Sequence, residues 1–102
     1  MQYVQLAELE IDPADLEDYK AAVAEQIETT IREEPGVLVL YAVAGKNNPT
    51  HITVFEIYAD LAAYQTHLET SHFTKYKATV KNMVKSLKLV QMVPLALGAK
   101  AG

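Results

Sequence analysis

The residues best suited to proton-transfer chemistry lie in one short segment, residues 55–77, with the sequence FEIYADLAAYQTHLETSHFTKYK. It contains His67 and His72, two of the three histidines, and Glu56 near its beginning. An imidazole exchanges a proton near neutral pH, so either histidine could act as a general base. A histidine at a helix end is, however, more often a packing or hydrogen-bonding residue. The residues alone leave both interpretations open.

Glu56 lies in a run of strand-forming residues and shares one face of that strand with Ile52, Val54 and Tyr58. A carboxyl group among apolar neighbours either has a raised pKa or is paired with a donor. Glu56 could therefore orient a histidine or a substrate hydroxyl, or it could face the rim of the sheet and do neither.

Several tyrosines could line a flat, apolar cavity, namely Tyr41, Tyr58, Tyr64 and Tyr76. Such tyrosines are more often core residues with a polar tip. The sequence contains no HExxH pair, glycine-rich phosphate loop, nucleotide fingerprint or Ser-His-Asp spacing. We therefore expect neither a metal site nor a tightly bound organic cofactor.

Length and composition restrict the class of protein. The 102 residues suffice for one core, and the lack of cysteine excludes disulfides and thiolate chemistry. No apolar run has the length of a membrane span, and the N-terminus lacks the features of a signal peptide. The net charge of −4 argues against non-specific nucleic-acid binding. We expect a cytoplasmic protein that binds neither membranes nor nucleic acids.

The charges are unevenly distributed. Residues 1–34 contain ten acids and two bases, whereas residues 35–102 contain three acids and seven bases. Five lysines form a stripe, consisting of Lys75, Lys77, Lys81, Lys85 and Lys88. Such a stripe is usually a solvated helix face, and its functional alternative is an anchor for a phosphate or carboxylate.

The elements that position these residues follow from hydrophobic spacing and capping signals. Residues 3–11, 37–44 and 51–58 have the composition of strands, and the turn GKNNPT joins the last two into an antiparallel hairpin. Asp12 and Pro13 begin a helix that ends at Pro35 and Gly36. Its predicted core stripe consists of Leu16, Tyr19, Val23, Ile27 and Ile31.

The second half of the chain contains two short helices and a last strand. Asp60 is expected to cap the first helix, and Ser71 the second, which then begins at His72 or Phe73. The last strand runs from about Ser86 to Val93. The order β-α-β-β-α(α)-β, with right-handed crossovers, predicts an α+β, ferredoxin-like fold with a four-stranded antiparallel sheet and helices on one face. We expect one domain, residues 1–94, and a flexible tail, residues 95–102.

Both faces of this sheet are predicted to be apolar. In the second strand Val37, Val39, Tyr41 and Val43 are predicted to point one way, and Leu38, Leu40, Ala42 and Ala44 the other. One layer of helices covers only one face, and each large apolar side chain left in water forfeits about 1.5–3 kcal/mol. We therefore expect a homodimer that packs sheet against sheet about a two-fold axis.

The chain resembles the antibiotic biosynthesis monooxygenase (ABM) superfamily in four segments: EPGVLVLYAV, FEIYAD, LAAY and HLETSHFTKYK. Within it, the chain is most similar to small bacterial quinol monooxygenase-like proteins and to autoinducer-2 processing proteins, over roughly residues 3–93. The resemblance implies a dimeric α/β barrel with a pocket between each subunit's sheet and helices. It also implies deprotonation of a phenolic substrate, whose anion then reacts with oxygen without metal or flavin.

The resemblance further implies roles for residues of the segment. His67 and His72 match helical histidine positions of the family, and Glu56 matches its strand acid. We expect these three to be catalytic, with His67 as the base. The expected substrate-binding residues are Tyr41, Tyr58, Tyr64, Phe73 and Tyr76. The absence of tryptophan argues against haem degradation.

Because one scaffold in this superfamily hosts several chemistries, two alternatives to a monooxygenase stay open. One is an isomerase or processing enzyme for a small phosphorylated dione, in which the lysine stripe would matter. The other is a non-enzymatic, dimeric binding protein for a small aromatic molecule. The sequence does not identify the native substrate.

Overall fold

The chain folds into one four-stranded antiparallel sheet, covered on one face by three helices. The computed structural model describes residues 1–101. The strand order is β2-β3-β1-β4, so the first and third strands occupy the centre of the sheet. The elements are β1 (Tyr3–Ile11), a 3₁₀ turn (Pro13–Asp15), α1 (Leu16–Glu33), β2 (Val37–Ala44), β3 (His51–Tyr58), α2 (Leu61–Leu68), α3 (Ser71–Val80) and β4 (Val84–Met92). The predicted ferredoxin-like arrangement is confirmed.

Capping residues determine where the helices begin. The Asp60 side chain caps α2 by accepting a hydrogen bond from the Ala63 amide, as predicted. The Asp12 side chain accepts one from the Ala14 amide, but it caps the 3₁₀ turn; α1 begins later than predicted, at Leu16, and its N-cap Asp15 makes no side-chain capping bond. The cap of α3 was predicted wrongly. Thr70 rather than Ser71 accepts the hydrogen bond from the Phe73 amide, so α3 begins one residue earlier than expected.

The core lies between the sheet and the helices. Tyr19, Tyr58, Ile11 and Thr30 are the largest fully buried side chains. The predicted core stripe of α1 is wrong in its last turns, because Ile31 is 49% exposed while Gln26 and Thr30 are buried. These two polar side chains hydrogen-bond to each other, which satisfies both groups in the interior.

The opposite face of the sheet carries the apolar residues that the sequence predicted for it. Tyr41 and Val43 of β2 are 59% and 62% exposed, and Met92 of β4 is 36% exposed. Cross-strand pairs on this face join Tyr41 to Phe55 and Leu6 to Val90. An irregularity between residues 37 and 39 interrupts the alternation, so Val37 pairs with Tyr58 and joins the core. Within residues 1–101, no helix combines the length and the apolar character needed to cross a bilayer.

Candidate active site

A cavity of about 290 Å³ lies between the sheet and the helices. This volume is near the lower limit of small-molecule sites, which range from about 300 to 1,000 Å³. Exposed side chains from α2, α3 and β4 mark its open side: Leu68, Lys77, Leu87 and Leu89. Its remaining lining residues are Gln5, Ala7, Leu9, Val23, Gln26, Leu40, Val54, Glu56, Tyr58, Tyr64, His67, Phe73 and Tyr76. A cavity of this size suits a ligand of one or two rings.

Aromatic rings form a continuous series along this cavity. Tyr64 lies edge-on to Tyr58, with ring centroids 5.1 Å apart, and Tyr58 lies 5.5 Å from His67. The series continues from His67 to Phe73 at 4.6 Å, and from Phe73 to Tyr76 at 6.1 Å. Because aromatic faces and edges pack well against flat rings, these walls favour a planar ligand.

Glu56 is the acidic group of the cavity and is buried. Its Oε1 accepts hydrogen bonds from the Tyr58 hydroxyl at 2.6 Å and from Gln5 Nε2 at 3.4 Å. Burial raises the pKa of the Glu56 carboxyl, and the two hydrogen bonds partly offset this rise. Burial and the neighbouring Glu56 also raise the pKa of the Tyr58 phenol. Tyr58 is therefore a neutral donor that orients Glu56, and Glu56 keeps its proton to a higher pH than an exposed glutamate.

His67 is 3% exposed, and its two ring nitrogens face different partners. Nδ1 lies 2.9 Å from Glu34 Oε2, while Nε2 lies 3.5 Å from the amide nitrogen of Gln26. The same Glu34 oxygen lies 2.6 Å from Nε2 of His72. One buried carboxylate oxygen therefore joins the two histidines.

Three chain segments bring this cluster together. Glu34 follows the last turn of α1 and has extended backbone dihedrals, as expected for a residue before proline. His67 lies in the last turn of α2, and His72 in the first turn of α3. Thr70 joins the two helices, because its hydroxyl donates to the His67 carbonyl and accepts from the Phe73 amide. The helix junction therefore fixes both rings relative to Glu34.

Gly36 allows α2 to approach the start of β2. A Cβ atom at position 36 would lie 2.7 Å from the Cβ of Ala63, closer than real side chains pack. The Ala59 amide also donates a hydrogen bond to the Gly36 carbonyl at 2.8 Å. The helix that carries His67, α2, therefore packs directly against the backbone at Gly36.

Glu34, His67 and His72 are also the types of side chain that bind first-row metals, and their donor atoms lie within 4.8 Å of one another. Metal–ligand bonds of about 2.1 Å at tetrahedral angles hold donor atoms roughly 3.4 Å apart. Here both rings approach one carboxylate oxygen at hydrogen-bond distance. The geometry is that of a hydrogen-bonded cluster.

Most of the residues predicted for the site line the cavity. Glu56, His67, Tyr58, Tyr64, Phe73 and Tyr76 all do so. His72 lies outside the cavity and reaches His67 only through Glu34. Tyr41 lies on the opposite face of the sheet, where it pairs with Phe55 and is 59% exposed.

The sequence analysis did not identify Glu34, Gln5 or Gln26 as parts of the site. A signal for two of them exists in the spacing of α1. Tyr19, Val23, Gln26, Thr30 and Glu34 recur every three or four residues, so polar side chains continue the core-facing stripe. Such polar residues on a buried face indicate hydrogen-bonded partners.

The lysine stripe is not uniform. Lys75 forms an ion pair with Glu25, at 2.9 Å between Nζ and Oε1. Lys77 lies at the open side of the cavity, with Nζ 5.9 Å from the centre of the Phe73 ring, and has no ion-pair partner within residues 1–101. Lys77 is therefore the lysine of the stripe that could contact a ligand in the cavity.

Comparison with known proteins gives a consistent result. A family model described as antibiotic biosynthesis monooxygenase matches residues 2–79. A Bacteroides thetaiotaomicron protein assigned by name to those monooxygenases is 50% identical, with a TM-score of 0.94 over 99% of this chain and 96% of its own. A similarly named Nitrosomonas europaea protein is 25% identical, with a TM-score of 0.87 over 92% and 90%. No curated protein matches the chain.

A third solved structure is of a longer protein. It comes from Lactobacillus acidophilus, is named for a monooxygenase assignment, and is 29% identical with a TM-score of 0.89. The match covers 90% of this chain but only 44% of that protein.

Proposed function

Because this chain belongs to the antibiotic biosynthesis monooxygenase family, we propose that it oxidises a small quinol or polyphenol with molecular oxygen, without a bound cofactor. The observation that carries the proposal is the cavity in which His67 and Glu56 lie among aromatic rings. A planar phenol fits such walls, and the two polar groups are of the kinds that remove and supply protons.

The proposed reaction begins with loss of a proton from a substrate hydroxyl to Nε2 of His67. The electron-rich anion then reacts with oxygen at a ring carbon. A C–O bond forms there, and the C–H bond, the second quinol O–H bond and the O–O bond break. One oxygen atom stays in the product as a hydroxyl group with one of the three released protons, and the other leaves as water with the remaining two. The quinol loses two electrons on becoming a quinone and the ring carbon loses two more, which matches the four electrons that oxygen accepts.

In this proposal the Glu56 carboxyl group hydrogen-bonds to the second substrate oxygen. A carboxyl group with a raised pKa can donate a hydrogen bond to an oxygen on which negative charge develops. Tyr58 holds Glu56 in place through the 2.6 Å hydrogen bond. The apolar walls keep water from the anion and thereby strengthen these interactions.

The test measures oxygen consumption with a reduced naphthoquinol, after subtraction of the uncatalysed reaction. We expect His67→Ala to lower kcat by about 10²- to 10⁴-fold, the usual contribution of a positioned base. His51→Ala is the matched control, because His51 contacts Glu10 outside the cavity. With ¹⁸O-labelled oxygen, one labelled atom should appear in the product. Unchanged turnover in His67→Ala would refute the assignment of the base.

Lys77 favours a second candidate function, that of an isomerase or processing enzyme for a small phosphorylated dione. A cation at the cavity opening without an acidic partner suits a phosphate group. Lys77→Gln should then raise KM for the phosphorylated substrate, whereas Lys75→Gln should not, since Lys75 is paired with Glu25. Tight binding of a quinone in air, with reductant present and no turnover, would instead indicate a binding protein.

We also propose that two copies of the chain pack through the open face of the sheet. The support is the set of exposed apolar side chains at the two edges of this face, Tyr41 and Val43 of β2 and Met92 of β4, because exposed apolar patches on folded proteins commonly mark interfaces. Packing of two sheets would cover these side chains and leave the cavity, on the opposite face, open to substrate.

A further inference from the structure

Glu34 contacts His67 from behind the cavity. It lines an outer cleft, defined by Glu33, Glu34, Pro35, Gly36, Ala63, Thr66, Thr70, Ser71 and His72. His67 lines the inner cavity and not the outer cleft. Glu34 therefore lies between the predicted base and the solvent side of the helix junction.

The partners of His67 determine which ring nitrogen carries the proton in the neutral ring. Nδ1 faces a carboxylate oxygen, which can only accept, so Nδ1 must donate. Nε2 lies 3.5 Å from the amide nitrogen of Gln26, a donor at the limit of hydrogen-bond distance, so this weaker contact favours an unprotonated Nε2. That Gln26 amide is itself fixed by its hydrogen bond to Thr30 at 3.1 Å. Both contacts favour the tautomer with hydrogen on Nδ1 and the lone pair on Nε2, and the shorter contact with Glu34 is the stronger of the two.

His72 holds the carboxylate from the other side. Its Nε2 donates to Glu34 Oε2 at 2.6 Å, and its Nδ1 lies 3.8 Å from a carboxylate oxygen of Glu33, beyond hydrogen-bond distance. The buried oxygen of Glu34 therefore accepts two hydrogen bonds, and within residues 1–101 no buried side-chain polar atom lacks a partner. These two donors hold Oε2 of Glu34 between the rings of His67 and His72.

From this geometry we propose that Glu34 and His72 are positioning residues for the base, an inference that rests on the proposed function. Glu34 keeps His67 as the tautomer with hydrogen on Nδ1, and its negative charge stabilises the imidazolium that forms when Nε2 takes the substrate proton. His72 fixes Glu34. The same proton returns from Nε2 to the departing peroxide oxygen as water forms, so the cluster is restored after each turnover.

The tautomer can be measured without substrate. Long-range ¹H–¹⁵N spectra of the labelled, unliganded full chain at about pH 8 should show Nδ1 of His67 protonated and Nε2 unprotonated. In Glu34→Gln, whose amide can either accept or donate, we expect a mixture of both tautomers. Glu10→Gln, the matched control at His51, should change only the His51 signals.

The wild-type spectrum alone decides the tautomer, even if Glu34→Gln does not fold. Hydrogen on Nε2, or on both ring nitrogens, would overturn the proposal, as would unchanged His67 signals in a folded Glu34→Gln variant. In the quinol assay, Glu34→Gln should lower kcat at least about tenfold with KM unchanged, and Glu34→Asp should restore part of the rate. If the wild type turns over no quinol, the proposed function fails while the spectra still test the tautomer.

Discussion

Replacing Tyr58 with phenylalanine should destabilise the protein by an amount that grows with pH. The buried Tyr58 hydroxyl donates to Glu56 Oε1 at 2.6 Å, and this hydrogen bond lowers the pKa that burial raises. In Tyr58→Phe the pKa of Glu56 therefore rises further. A carboxyl group whose pKa is raised on folding contributes stability below its unfolded pKa and loses that contribution as the pH rises through its folded pKa.

The size of the destabilisation by Tyr58→Phe depends on whether the Glu56 carboxyl group is charged. At a pH above the pKa of Glu56 the hydroxyl donates to a carboxylate, and loss of a hydrogen bond to a charged group costs about 1.5–3 kcal/mol. At about pH 4, where the carboxyl is largely protonated, the loss falls to the neutral value of about 0.5–1.5 kcal/mol. With a urea m-value of about 1–3 kcal/mol/M, the midpoint at the higher pH should shift by roughly 1 M.

Urea unfolding followed by circular dichroism at both pH values provides the measurement. Tyr19→Phe is the matched control, because Tyr19 is equally buried but contacts the Tyr76 hydroxyl at 2.8 Å and no carboxyl group. The loss of stability caused by Tyr19→Phe should therefore not change with pH. In a Glu56→Gln background, the pH dependence of Tyr58→Phe should disappear. An equal loss at both pH values, or a larger one at the acidic pH, would show that the hydroxyl does not act through the Glu56 charge.

Three further predictions concern assembly, packing and metal binding. Tyr41→Glu should halve the mass measured by light scattering, whereas Ile31→Glu, a change of a half-exposed side chain on α1, should not; a monomeric wild type would contradict the proposed interface. Gly36→Ala should lower the free energy of unfolding by about 1–3 kcal/mol, and Ala63→Gly in the same chain should restore part of it, since glycine within α2 itself costs about 0.5–1 kcal/mol; an unchanged thermal unfolding curve for Gly36→Ala would mean that α2 moves freely. Dialysis against EDTA should leave the melting temperature unchanged, because both histidines are engaged by one oxygen; Zn²⁺ stabilisation that His72→Gln abolishes would argue for a metal site.

The fold was largely predictable because its signals are local. The starts of the 3₁₀ turn after Asp12 and of α2 after Asp60 follow from side chains that accept amide hydrogen bonds within three residues. The misplaced cap at Ser71 shows the limit of such signals, because two adjacent hydroxyl residues compete and the helix junction favours Thr70.

The sequence predicted those parts of the candidate site that depend on a single strand or helix. It did not predict the contacts that form only where several elements come together. The strand period correctly grouped Glu56 with Tyr58 on one face. Because side chains alternate along a strand, Tyr41 faces away from the side of its neighbour Leu40, which lines the cavity. The sequence therefore implied that Tyr41 lies outside the cavity. The position of Glu34 beside the two histidines depends on the direction of the chain after α1 and on the placement of α2 and α3. Hydrophobic spacing contains no information on how such separate elements meet.

The contact between Gly36 and Ala63 has a consequence for how this scaffold adapts to ligands. Neither residue lines the cavity, yet together they set how closely α2, with Tyr64 and His67, approaches the sheet. A larger residue at either position would act as a spacer between α2 and the sheet and widen the cavity, while the identity of its lining residues stays the same. A laboratory library restricted to residues 36 and 63 can therefore vary ligand size without replacing any side chain that lines the cavity.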